Sequence, residues 1–209
     1  MFVQRIINKY LKHAQISRIT FCQDSEVFLT FDDGPDVDIT DFVLNELKKY
    51  DFKATFFCCG KNAEKNPHLL DRIKREGHTI ANHTYNHLIA TEHSASDFIS
   101  DVEQANKILK TSYFRPPCAI IKLNQWIRLK SKYKFFFWSK NSGDYMESHF
   151  DLQKNLQTLF ETKTGDIVLF HFCKLHANET KQILPVYLEW LHEHKFKAVA
   201  ISEKNLKRK

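Results

Sequence analysis

The chain has 209 residues, enough for one domain with a sizeable core. Hydrophobic residues make up 43% and charged residues 27%, which is typical of a globular protein, and no apolar run approaches the roughly 18 residues of a membrane span. The net charge of +6 comes from basic residues spread along the chain, apart from a basic stretch at 204–209. Because basic and aromatic residues are not interleaved, the charge predicts a solvated surface and no nucleic-acid partner.

The first predicted element is an N-terminal helix. Apolar residues at positions 2, 3, 6, 7, 10 and 11 form a helical stripe, and the stretch lacks the apolar core and cleavage site of a secretory signal. It predicts either a helix packed on the domain or a weak membrane-surface contact through residues 1–13. We therefore expect a helical extension over residues 1–25, and a location in the cytoplasm or at the inner face of a membrane.

From residue 26 onward, strand and helix signals alternate. The predicted strands are residues 26–31, 53–58, 78–82, 112–115, 134–139, 166–171 and 196–201. Six helical stretches lie between them, among them 38–50 and 94–110, whose apolar residues fall on one face. Pro185 predicts that the last helix starts late or kinks. The alternation predicts one domain with a mostly parallel sheet, either open or rolled into a barrel.

Polar residues recur where these strands end. They are Asp32 and Asp33 after the first strand, His83 after the third, Arg115 at the end of the fourth, Asn141 and Asp144 after the fifth, and His171 at the end of the sixth. In a parallel β/α fold these positions gather at the carboxyl edge of the sheet, where α/β barrels keep their active sites. The pattern therefore predicts one site built from several strand ends.

One carboxylate and two imidazoles are a common ligand set for a divalent metal. Asp32 and Asp33 are adjacent, and the spacing of His83 and His87 predicts two rings on one face of a helical turn. A carboxylate left over beside such a metal is a ready general base. The alternatives are a turn cap for Asp32 and a polar helix face for the two histidines.

Five short motifs, in a fixed order, resemble those of polysaccharide deacetylases, the NodB-homology domain of carbohydrate esterase family four. The motifs fall at residues 30–35 (Thr-Phe-Asp-Asp-Gly-Pro), 83–87 (His-Thr-Tyr-Asn-His), 115–117 (Arg-Pro-Pro), 141–145 (loosely) and 169–171 (Leu-Phe-His). The third motif departs at Cys118, where the family has an aromatic residue. The resemblance spans residues 26–201 and assigns residues 26–209 to the catalytic domain.

The resemblance implies a distorted (β/α) barrel of about seven parallel strands that removes N-acetyl groups from an amino sugar or an N-acetylglucosamine-containing glycan. It also implies one divalent ion, with zinc expected and cobalt or another divalent ion as alternatives, held by Asp33, His83 and His87. The other implied roles are general base for Asp32, partner of that base for Arg115, general acid for His171, and orientation of His171 for Asp144.

The same resemblance implies a substrate pocket. The backbone N–H of Cys118 corresponds to an oxyanion donor, and the pocket residues are Leu169, Trp138, Tyr145 and Pro117. A structural ion pair for Arg115 and an ordinary turn for Asp144 stay open as alternatives. The remaining histidines, His176 among them, are expected on the surface.

Two departures from the family pattern leave alternatives open. Cys118 removes an aromatic wall of the sugar groove, and Cys173 follows His171 closely where a polar residue is common. The two cysteines could form a redox-sensitive pair, supply a secondary metal ligand, or be unrelated small side chains. Rival functions are hydrolysis of another small amide, such as a cyclic imide or formamide, and non-catalytic sugar binding.

Overall fold

The computed structural model describes residues 16–20 and 22–206. The predicted helical stripe and membrane contact at residues 1–13 lie outside these ranges. Within the described residues, no helix combines the length and the apolar character needed to cross a membrane. The expected location of the protein stays a prediction.

Eight strands and seven helices form within the described ranges. The strands are β1 (Glu26–Asp32), β2 (Thr55–Cys58), β3 (Thr79–Asn82), β4 (Tyr113–Phe114), β5 (Lys134–Phe135), β6 (Lys140–Asn141), β7 (Ile167–His171) and β8 (Lys197–Ala198). The helices are α1 (Thr40–Lys49), α2 (Gly60–Lys65), α3 (Pro67–Arg75), α4 (Ala95–Leu109), α5 (Leu123–Leu129), α6 (Leu152–Leu159) and α7 (Ala177–Glu193). All seven predicted strands form, most of them shorter than predicted, and β6 is an addition.

The strands pair in the order β5-β4-β3-β2-β1-β7-β6, with β8 beside the start of β1, and all these pairs are parallel. The two edge strands, β5 and β6, are joined only by residues 136–139. Seven strands lying flat would span about 29 Å, whereas five residue steps reach at most about 18 Å. The sheet must therefore curl, which confirms the predicted distorted barrel.

Residues 16–19 link the chain after β5 to the chain before β7. Ile16 bridges to Phe136, and the Ile19 N–H donates to the carbonyl of Gly165 at 2.8 Å. A Cβ on Gly165 would lie 2.2 Å from the Ile19 oxygen, so this approach requires glycine. The described part of the predicted N-terminal extension is thus bonded to the barrel and is not helical, while the domain boundary at residue 26 stays a prediction.

Helix α7 continues on both sides of Pro185, so of the two predicted outcomes the late start is wrong, while the kink stays a prediction. A proline inside a helix costs about 3 kcal/mol or more. On either side of it, Ile183, Leu184, Tyr187 and Leu188 are each 0% exposed. Burial of each such side chain contributes roughly 1.5–3 kcal/mol, so together they outweigh the proline.

Successive side chains of β1 point alternately into the barrel interior and towards the outer helices, and β7 lies beside β1 in register. Leu29 and Phe31 pack in the same cluster as helix α7, whereas Phe28 belongs to the interior cluster. Since successive side chains of a strand point to opposite faces, Asp32 lies on the interior face with Phe28. Strand β7 is in register with β1, and Asp32 pairs with His171. Two functional candidates therefore meet at neighbouring strand ends.

Candidate active site

The chain turns sharply after β1, between the two aspartates. Asp32 is the last residue of the strand, and Asp33 has a φ of 83°, in the left-handed region. The Asp33 N–H donates to the carbonyl of Phe57 at 3.1 Å, and Asn62 donates to the Asp33 carbonyl at 2.7 Å. A Cβ on Gly34 would lie 2.5 Å from the Phe172 ring, so only glycine fits the next position. These contacts fix the two carboxylates in different directions.

The segment from His83 to His87 is a loop and not the predicted helical turn. His87 has a φ of 58°, and the N–H groups of Tyr85 and Asn86 donate to a carboxylate oxygen of Asp101 on α4, at 2.7 and 3.0 Å. The Asp101 carboxylate thus accepts hydrogen bonds from backbone N–H groups that would be bonded to backbone carbonyls in a helix. The two imidazoles still lie side by side, with ring centroids 5.2 Å apart.

Three side chains converge on one point. Asp33 Oδ1 lies 3.4 Å from His83 Nε2 and 3.2 Å from His87 Nε2. The His83 Nδ1–H faces the Arg115 carbonyl at 2.7 Å, which leaves Nε2 with its lone pair towards Asp33. Burial raises the pKa of Asp33, but the neighbouring histidines outweigh it and hold that pKa well below its usual range.

The three residues fit a divalent metal ion. Asp33 Oδ1 is buried and accepts no hydrogen bond from any residue in the described ranges. A tetrahedral zinc ion holds nitrogen and oxygen ligands about 3.4 Å apart, which matches both measured distances. One ligand atom each of Asp33, His83 and His87 lies within 4.8 Å of the others.

Asp32 is held by Arg115, whose side chain is 0% exposed. One guanidinium nitrogen donates to Asp32 Oδ1 at 2.6 Å, and the others donate to the carbonyls of Phe136 and Phe137. The guanidinium also lies 4.0 Å above the centre of the Phe57 ring. With Oδ1 occupied, Asp32 Oδ2 is the oxygen that faces the metal-ligand group, 3.8 Å from His83 Nε2.

His171 is oriented by a buried carboxylate. Asp144 Oδ1 lies 2.7 Å from His171 Nδ1, while Oδ2 accepts from the His171 backbone N–H and from the Thr180 hydroxyl on α7. Burial lowers the pKa of His171, but the Asp144 charge and hydrogen bond outweigh it and raise that pKa to about 9. The imidazole is therefore protonated at neutral pH and can donate a proton from Nε2.

A cavity of about 320 Å³ joins these groups. It is lined by Asp32, Asp33, His83, His87, Cys118, Trp138, Asn141, Tyr145, Leu169, His171 and His176. Three of the four predicted pocket residues line it, and Pro117 does not, because it is buried in the turn that follows Arg115. That turn places Cys118 at the cavity with a φ of 54°.

The expectation that His176 is a surface residue is wrong. Its ring centroid lies 5.1 Å from that of His171, since the chain folds back over the site between β7 and α7. Its position five residues after His171, in the same strand-end connection, was the available signal. Asp101 and Thr180 carried no comparable signal, because each lies on a helix and reaches the site only through the packing of that helix.

The model of the family described as polysaccharide deacetylase matches residues 22–135, more than half of the chain. This chain belongs to the polysaccharide deacetylase family. Membership confirms the predicted resemblance and the predicted class, a hydrolase acting on carbon–nitrogen bonds other than peptide bonds.

Two relatives from Bacillus cereus are both named peptidoglycan-N-acetylglucosamine deacetylase. One is 35% identical over 155 residues, covering 70% of this chain but 56% of the relative, and the other is 32% identical over 185 residues, covering 85% and 86%. The solved structure of the Bc1960 peptidoglycan N-acetylglucosamine deacetylase has a TM-score of 0.83 and 28% identity, covering 93% of this chain and 94% of that one.

Proposed function

We propose that this protein hydrolyses the N-acetyl group of an N-acetylglucosamine residue in a glycan, with the help of one divalent ion, zinc being the expected one. One observation carries the proposal: two groups suited to proton transfer, Asp32 and His171, stand at the ends of neighbouring strands in the cavity that Asp33, His83 and His87 also line. The names of the two Bacillus cereus relatives support this class of substrate.

Asp33, His83 and His87 would hold the ion and leave positions for water and for the acetyl oxygen. When bound, an ion of this kind polarises a carbonyl group and lowers the pKa of water. The ligand set suits this chemistry because Asp33 Oδ1 has no competing hydrogen bond among the described residues.

Asp32 acts as the general base. Its Oδ2 takes a proton from the water molecule that attacks the acetyl carbon, while Oδ1 stays bonded to Arg115 at 2.6 Å. Arg115 is a positioning residue in this scheme, because it contacts Asp32 and not the substrate. Its hydrogen bonds to two backbone carbonyls hold the guanidinium in a fixed position beside Asp32.

His171 acts as the general acid. Its Nε2–H gives a proton to the amide nitrogen as the carbon–nitrogen bond breaks, so that acetate and a free amine leave. Asp144 holds the Nδ1 side of the ring and stabilises the imidazolium. The backbone N–H of Cys118 donates to the oxygen of the acetyl group as negative charge develops there.

The remaining walls suit an acetylated sugar. Leu169 and Trp138 offer apolar surface to the acetyl methyl group, and Tyr145, 45% exposed, offers a ring face at the mouth. The cavity volume lies at the lower end of the range for small-molecule sites, which suits one sugar residue at a time.

Acetate release from N-acetylglucosamine oligomers and peptidoglycan tests the proposal. We expect release by zinc- or cobalt-loaded protein, loss after chelation, and recovery on reloading. His171→Ala should slow it by about 10²–10⁴-fold, whereas Asp38→Asn, an exposed carboxylate outside the cavity, should not. A cyclic imide and a formamide are assayed beside these substrates. Turnover of those amides without acetate release would contradict the proposal.

A further inference from the structure

The second carboxylate oxygen of Asp33 has its own partners. Cys173 Sγ lies 3.7 Å from Asp33 Oδ2, and a nitrogen of His176 lies within 4.8 Å of Cys173 Sγ and of an Asp33 carboxylate oxygen. The proposed deacetylation uses neither Cys173 nor His176. One aspartate thus belongs to two groups of ligand atoms, with Oδ1 towards the two histidines of the loop and Oδ2 towards the Cys173 thiol, and a third histidine completes the second group.

The distances in this second group fit a metal ion. A zinc ion about 2.3 Å from sulfur and about 2.1 Å from oxygen holds those two ligands about 3.6 Å apart in tetrahedral geometry. The measured separation of Cys173 Sγ and Asp33 Oδ2 is 3.7 Å. Sulfur, imidazole and carboxylate ligands together suit zinc or cobalt better than calcium or magnesium, which prefer oxygen.

We propose that Asp33 Oδ2, Cys173 and His176 form a second cation site, bridged to the first through the Asp33 carboxylate. Its ligand is a divalent cation that accepts thiolate, such as zinc or cobalt. On binding, the Cys173 thiol gives its proton to solvent, and the ion takes the place of that proton between sulfur and carboxylate. The thiolate adds the negative charge that a second dication beside Asp33 requires.

The two sites fill in a defined order. A cation at the second site must displace the proton of the Cys173 thiol, whose sulfur lies 3.7 Å from Asp33 Oδ2. The first group needs no such exchange at sulfur, because its ligands are two imidazoles and the Asp33 carboxylate, and the Asp32 carboxylate lies beside them, 3.8 Å from His83 Nε2. The first equivalent of metal therefore binds to the histidine pair, and the second binds more weakly at Cys173.

Titration of metal-free protein with cobalt tests the inference without turnover. We expect two equivalents to bind, and a thiolate-to-cobalt charge-transfer band to appear with the second equivalent only. Cys173→Ser should bind one equivalent without the band. Cys22→Ser is the matched control, since Cys22 is a half-buried cysteine like Cys173 but lies outside the cavity and the ligand group, and this variant should bind two equivalents with the band.

Two more variants test each site separately. They also keep the inference testable if Cys173→Ser fails to fold. His83→Ala should lose the first equivalent and keep the band, and His176→Gln should weaken the second equivalent at least tenfold. One equivalent without a band, one equivalent with a band, or a band that survives in Cys173→Ser would each overturn the inference. Acetate release by the same variants, measured separately, keeps the two proposals distinguishable, because the proposed deacetylation requires an ion at the histidine pair and not at Cys173.

Discussion

Asp32 and Asp33 are adjacent in the chain, but their carboxylates meet different partners. The strand ends between them, so Asp32 stays on the interior face with Arg115 while the left-handed turn at Asp33 sends its side chain towards the histidines. The same division recurs at β7, where His171 faces the cavity and its backbone N–H bonds Asp144. Small differences in backbone direction thus assign metal binding and proton transfer to separate residues.

Replacing Asp144 by Asn should move the alkaline limit of activity to lower pH. The general acid must be protonated, and the raised pKa of His171 means that activity is lost as pH rises through about 9. Without the Asp144 charge, the limit should shift towards the ordinary histidine value of about 6.5. The measurement is the pH dependence of kcat/KM for acetate release between pH 6 and 10.

Asp151→Asn serves as the control for that experiment, since Asp151 caps α6 through its side chain and does not line the cavity. An alkaline limit that stays at the wild-type pH in Asp144→Asn would show that His171 is not the group titrating. A fall in kcat without any shift of the alkaline limit would also show that His171 is not the group titrating.

At the scale of elements, helix α4 holds the histidine loop in place. Asp101, only 6% exposed, accepts hydrogen bonds from two backbone N–H groups of that loop and from the side chain of Asn86. Residues that orient metal ligands are often worth 10–100-fold in metal affinity. The helix is therefore part of the metal site although it carries none of the predicted ligands.

Asp101→Ala should weaken binding of the first metal equivalent by about 10–100-fold, since the loop loses its acceptors and His87 loses its position. Competition with a chromophoric chelator measures the affinity. Glu103→Ala, two residues along the same helix and paired with Lys132 at the surface, should bind metal as tightly as the wild type. Equal affinity for the Asp101 and Glu103 variants would contradict this role.

The sequence predicts the strands because each is a short apolar run, and it predicts the site because motif residues stand where strands end. It does not predict β6, whose Lys140 and Asn141 carry no apolar signal. The spacing of His83 and His87 predicts a helical turn, but spacing alone cannot reveal that Asp101 supplies the hydrogen-bond acceptors of a loop there. The role of Thr180 is not predictable for the same reason, since its hydrogen bond to Asp144 exists only after α7 packs against the barrel.

At the scale of the whole molecule, the parallel barrel depends on buried contacts outside the site. His78 precedes β3, is 8% exposed, and accepts a hydrogen bond at Nδ1 from the Ala54 N–H beside β2. Burial, with Lys53 nearby, lowers the pKa of His78 to about 4. The folded barrel therefore holds this imidazole neutral at pH values where the unfolded chain would protonate it.

This linkage predicts an acid-sensitive fold. Below the unfolded value of about 6.5 the unfolded state binds the extra proton, so stability falls as pH drops from about 6.5 to about 4, by roughly 3 kcal/mol in total. His78→Asn keeps an acceptor for Ala54 but cannot titrate, so it should lose less stability over this range. Urea unfolding of both proteins measures the difference, and parallel pH profiles for the two would contradict the prediction.

The most direct test of the account is zinc content measured together with acetate release for Asp32→Asn and Asp33→Asn. We predict that Asp32→Asn keeps its zinc and loses acetate release by about 10²–10⁴-fold, because only the proton acceptor is gone. Asp33→Asn should lose both. Near wild-type turnover in Asp32→Asn, or full zinc retention and turnover in Asp33→Asn, would contradict the division of roles between the two aspartates.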